Sequence, residues 1–101
     1  MVETLKQEAQ RLLADVPGEY VFRVNDGQVF HNMKELGEGL KNISDDTYIY
    51  HANEQKHDFY NWVKDVIGDE ILSRNLREAL TRTQALRSVS SRIHILSKRL
   101  G

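Results

Sequence analysis

The chain has 101 residues, enough for one domain and too few for two. Its 40% hydrophobic and 29% charged residues exclude a disordered chain and leave room for one modest core. The absence of cysteine excludes disulfides, thiolate metal sites and cysteine nucleophiles together, and fits a reducing, cytoplasmic setting.

The net charge of −1 conceals an asymmetry. Met1 to Leu72 carries 14 acidic and 7 basic residues, a balance of −7. Ser73 to Gly101 carries Glu78 against Arg74, Arg77, Arg82, Arg87, Arg92, Lys98 and Arg99, a balance of +6. Such a division implies an electrostatic partner for the C-terminal part: the acidic body, a second copy, an acidic protein or a nucleic acid. No apolar run is long enough to span a bilayer, and Met1 to Val16 lacks the pattern of a signal peptide.

Val2, Leu5, Ala9, Leu12, Leu13 and Val16 recur at helical spacing and predict an amphipathic helix ended by Pro17-Gly18. Tyr20–Val24 and Gln28–His31 flank Asn25-Asp26-Gly27, a strong hairpin signal. Asn32 is placed to cap the next helix, with Glu35 completing a capping-box-like pair and Met33, Leu36, Leu40 and Ile43 as the apolar stripe. Gly37 and Gly39 lie inside that stripe, where close packing on the sheet explains them better than a phosphate loop. Ser44-Asp45-Asp46 reads as a turn, and Thr47-Tyr48-Ile49-Tyr50-His51 as a third strand with Tyr48 and Tyr50 on one face. A helix follows from about 57 to 67, with Gly68 as its C-terminal cap and Asp69 as the cap of the next. From Glu70 to Leu100 no strong breaker occurs, although a bend around Thr81 to Thr83 is compatible with the pattern. The expected fold is α+β: a three-stranded, mainly antiparallel sheet packed by helices in the order α-β-β-α-β-α-α. It forms one domain over 1–101, with a core over about 1–80 and a basic amphipathic helix over about 81–100.

The chain carries in order Phe22 with Asp26-Gly27, Glu35-Leu36 with Leu40, and Ser44-Asp45-Asp46, then Tyr50-His51, Asp58-Phe59-Tyr60-Asn61-Trp62 and Gly68-Asp69 with Leu72. On these residues, the stretch 20–76 resembles a small prokaryotic domain family of unknown function. The resemblance implies a shared fold and no particular chemistry.

Three groups of residues are candidates for function. His51, Asp58 and Trp62 form the first: Asp58 and Trp62 share a helical face, and Asp58 orients the His51 imidazole either as a base or ligand or simply as packing. The second is an interaction seam of Leu86, Val89, Ile93, Leu96 and Leu100, stepping by three and four like a short coiled coil. The third is a set of anion contacts, Arg74, Arg77, Arg87, Arg92 and Arg99. His31 with His57-Asp58 is similar to the pattern of metal-dependent phosphohydrolases, but the spacing matches no closed zinc set, and neither metal nor cofactor is expected. Nucleophile elbows, P-loops and dinucleotide fingerprints do not occur.

The leading expectation is a non-enzymatic interaction or regulatory module. It self-associates as a homo-oligomer, or docks on another protein, through its C-terminal helix. The alternatives are a nucleic-acid-binding accessory protein that uses the basic helix, and a small-ligand binder or hydrolase that uses His51 and Asp58.

Overall fold

The computed structural model describes residues 2–101, and among them it holds six α-helices and one two-stranded antiparallel sheet. The first helix, α1 (Leu5–Leu13), opens with a capping box in which Thr4 and Gln7 satisfy each other's backbone N–H groups. It buries Ala9 and Leu12 and leaves Leu5 exposed. A 3₁₀ turn over Gly18–Tyr20 then leads into the hairpin.

The hairpin forms where Asp26-Gly27 predicts it. Strand β1 (Phe22–Arg23) pairs with β2 (Val29–Phe30) in the register Phe22 to Phe30 and Arg23 to Val29. Gly27 has φ +99°, and its N–H donates to the Val24 carbonyl at 3.0 Å, closing a three-residue loop.

Helix α2 (Met33–Asn42) starts at Asn32, whose side chain accepts the Glu35 N–H at 2.8 Å. The Glu35 carboxylate reaches one residue further back than a capping box requires, to the His31 N–H at 2.7 Å. That bond and one from the His31 ring hold its carboxyl below the usual range. Gly39 is buried under the Phe30 ring, and a Cβ there would fall inside that ring. Gly37 instead faces Val89 and Ile93. Gly39 is therefore a close-approach residue against the hairpin, whereas a Cβ at Gly37 would meet the last helix at ordinary contact distance.

The expected third strand is a helix. Residues 45–51 form α3 (Asp45–His51), and Ser44 is its N-cap, accepting the Thr47 N–H at 3.0 Å. Asp45 and Asp46 occupy the first turn, where the helix dipole favours acids. Tyr48 and His51 are buried three residues apart, while Ile49 and Tyr50 are exposed. This is a period near three, which the β-branched and aromatic composition masked. The expected tyrosine face does not form, because Tyr48 stacks on Phe59 in the core with ring centroids 5.5 Å apart. Burial pushes the Tyr48 phenol up.

Helix α4 (Asp58–Trp62) continues into a π-helical turn over Val63–Ile67. Gly68 ends it with φ +87°, its N–H donating to the Val63 carbonyl at 2.8 Å. His57 caps α4: its Nδ1 accepts the Tyr60 N–H at 3.2 Å and its Nε2 donates to the Leu76 carbonyl at 3.0 Å. Burial holds the His57 pKa below 6.5, outweighing the Leu76 carbonyl and Asp58, which act in the opposite direction. With a depressed folded pKa, the unfolded chain takes up the proton first as pH falls. This stabilisation is complete above about pH 6.5 and is lost as pH falls through the folded value. Urea midpoints measured near pH 7 and pH 5 check it. The wild type loses stability across that window, and His57→Asn, which keeps an oxygen for the Tyr60 N–H, loses less.

The C-terminal third divides into α5 (Glu70–Glu78) and α6 (Arg82–Leu100). Thr81 caps α6 by accepting the Gln84 N–H at 3.1 Å, which places the break where the pattern allowed one. Helix α6 packs against α1, α2 and α5 and so runs through the centre of the helical layer.

Candidate functional site

His51 lies in the last turn of α3, at the end of a helix rather than a strand, and only 6% of its side chain is exposed. Its Nδ1 is 2.9 Å from Asp58 Oδ2, and its Nε2 accepts the Asn25 N–H from the hairpin loop at 3.1 Å. These partners fix one tautomer: Nδ1–H donates to the carboxylate, and the Nε2 lone pair takes the amide. The ring packs on Phe22, Tyr50 and Phe59, with centroids 5.2, 4.8 and 5.6 Å away. No lone pair is left for a metal or for a substrate proton.

Asp58 also bonds Lys56 at 3.0 Å. Burial pushes its carboxyl up, but the bonds to His51 and Lys56 win and hold it below its ordinary value of 3.8. Trp62 does not join the pair through a bond. Its indole N–H donates to the Tyr20 carbonyl at 2.7 Å, and its ring packs 5.7 Å from Phe22, which also packs on His51. The cluster thus locks hairpin, α3 and α4 together. His51→Ala is expected to cost about 2–4 kcal/mol, from the orphaned Asn25 N–H and the void it leaves. Urea denaturation followed by circular dichroism measures this, and wild-type stability in the variant would contradict it.

The seam residues are distributed unevenly. Val89 and Leu96 are completely buried against the protein's own helices, Leu86 and Ile93 are half-buried, and Leu100 is 38% exposed. The buried line of α6 is Ala85, Val89, Arg92 and Leu96, rotated from the apolar pattern because Arg92 occupies a core position. Leu86 and Ile93 are left on the rim of an open groove of about 580 Å³ between α2 and α6. Gly37 and Ser90 line it, with Lys34, Glu38 and Lys41 on the α2 side.

The anion contacts also separate. Arg92 donates to Asp69 at 2.7 Å with both side chains buried, and Arg99 donates to Glu8 at 2.8 Å. Arg82 pairs with Asp45 at 2.8 Å and donates to the Leu40 carbonyl at the end of α2. Three bases of the C-terminal third therefore neutralise acids of the body. Arg74, Arg77 and Arg87 are exposed and have no ion-pair partner among the described residues. Arg74 and Arg77 lie beside Tyr60 and Lys64, while Arg87 stands apart on α6.

The sequence pattern did not single out Lys34 and Lys41, nor pair Tyr60 with Lys64. Their spacings of seven and four residues on helices are the signals that pair them. Among the described residues no group of three His, Asp or Glu side chains is placed to hold a metal ion. No helix of the described residues is long and apolar enough to cross a membrane. No family model, curated protein or solved structure matches the chain.

Proposed function

We propose that the protein is a cytoplasmic, non-enzymatic interaction module that docks an acidic amphipathic helix of another protein between α2 and α6. The observation that carries this reading is the groove itself. Its apolar residues Leu86 and Ile93 are seven apart on α6, and Lys34 and Lys41 are seven apart on α2. Seven residues are two helical turns, about 10 Å. An apolar edge two turns long, facing two cations that outnumber the single acid Glu38 between them, suits a helix with apolar residues at i, i+4 and i+7 and acids on its flank. Neither lysine has an ion-pair partner among the described residues. A second copy offers the same lysines, so a foreign acidic helix fits better than self-association. The family resemblance over residues 20–76 belongs to the same proposal and adds a shared fold, not an activity.

The test is a fluorescence-anisotropy titration with a labelled helical peptide that carries leucines at i, i+4 and i+7 and glutamates on its flanks. Saturable binding is expected. It should weaken at least tenfold in the Lys34→Glu, Lys41→Glu double variant and be lost in Leu86→Glu. Equal binding of a lysine-flanked peptide would refute the charge match. Light scattering of the protein alone is expected to give a monomer, and a dimer dissolved by Leu86→Glu would assign the groove to a second copy instead.

A further inference from the structure

A second face, independent of the groove, gathers three of the cations that the fold does not neutralise. Tyr60 and Lys64 from α4 and its π turn, and Arg74 and Arg77 from α5, line one open cavity of about 170 Å³. The Lys64 ammonium is 5.6 Å from the Tyr60 ring centroid, and the Arg77 guanidinium carbon is 5.7 Å from it. The ring therefore holds two of the three cations in place. None of the three has an ion-pair partner among the described residues. Glu70 is the one acid lining the cavity, so the local balance remains positive. The Ser73 hydroxyl is occupied, donating to the Glu70 carbonyl at 2.9 Å.

We propose that Tyr60, Lys64, Arg74 and Arg77 form a binding site for the phosphate backbone of single-stranded nucleic acid. Arginine forks match phosphate oxygens in pairs, and a planar guanidinium also offers a base a surface to stack on. All three cations are exposed, so a lone phosphate ion gains little there against water and salt. A polyanion that meets several cations at once also gains from releasing its counterions. The open cavity with an aromatic edge suits a flexible single strand better than a rigid duplex.

The experiment is anisotropy of a labelled twelve-nucleotide thymidine oligomer on the full chain, in about 50 and about 200 mM salt. Three phosphate contacts on a single strand give a log–log salt slope of about −2, a loss of roughly 20-fold across that range. Arg74→Glu with Arg77→Glu should reduce affinity at least tenfold, with the helical circular dichroism unchanged. Arg87→Glu, which makes a single charge reversal on α6, should change affinity less than twofold. Inorganic phosphate at the same phosphate concentration should not displace the oligomer. An equal loss in Arg87→Glu, displacement by free phosphate, tighter binding of a duplex, or no binding at all would each overturn the proposal.

Discussion

Arg92→Met is expected to lower the free energy of unfolding by about 3–5 kcal/mol, read from urea midpoints at neutral pH. Arg92 and Asp69 side chains are 7% and 1% exposed, so each charge depends on the other for its solvation. Both oxygens of Asp69 are engaged: Oδ1 accepts the Leu72 N–H at 3.0 Å as the cap of α5, and Oδ2 accepts from Arg92 Nε at 2.7 Å. Removing the guanidinium leaves an unpaired carboxylate in the core. The methionine refills most of the volume, so the loss is electrostatic rather than steric. The Asp69→Asn, Arg92→Met double variant keeps an oxygen for the Leu72 N–H and buries no charge. It should therefore recover most of the loss. Additive losses in the double variant would mean that the pair is not coupled as the geometry requires.

Phe59→Ala is expected to cost about 3–5 kcal/mol, a large share of the 5–15 kcal/mol typical of a small domain. Phe59 is completely buried, with Phe22 of the hairpin stacked at 4.9 Å and Tyr48 of α3 at 5.5 Å. It is the one ring that touches the hairpin, α3 and the α4 cap at His57, whose ring lies 6.4 Å away. Truncation removes transfer free energy and opens a void that three separate elements border. Phe59→Leu keeps most of the volume and should cost less than about 1.5 kcal/mol. Urea curves of the two variants, fitted with a common slope, measure the difference. Similar losses in both would show that volume at this position does not matter.

Local chemistry made much of the fold readable. Asn32, Asp69 and Gly68 announce helix ends because short polar side chains and a left-handed glycine act on their own neighbours. Asp26-Gly27 announces the hairpin for the same reason. The failure at residues 47–51 is also local in origin. Two tyrosines, an isoleucine and a threonine favour a strand, but Ser44, Asp45 and Asp46 supply a cap and a favourable first turn, and the helix won.

The register of α6 was less readable because it depends on a partner 23 residues away. Arginine at position 92 reads as surface until Asp69, fixed as the α5 cap, is found beside it. The His51–Asp58 pair was visible in the sequence, but its meaning was not. What decides it is the Asn25 N–H, 26 residues earlier, which takes the remaining ring nitrogen. The charge asymmetry behaved likewise: the sequence shows an excess of base, while the fold shows that Arg82, Arg92 and Arg99 meet acids of the body and Arg74, Arg77 and Arg87 do not.

The most direct test of the docking account is amide chemical-shift mapping of the labelled protein titrated with the glutamate-flanked helical peptide. Shifts are expected to concentrate in residues 34–41 and 86–93, with the amides of 60–77 unmoved. Shifts centred on Tyr60, Arg74 and Arg77, or spread evenly over the surface, would contradict it.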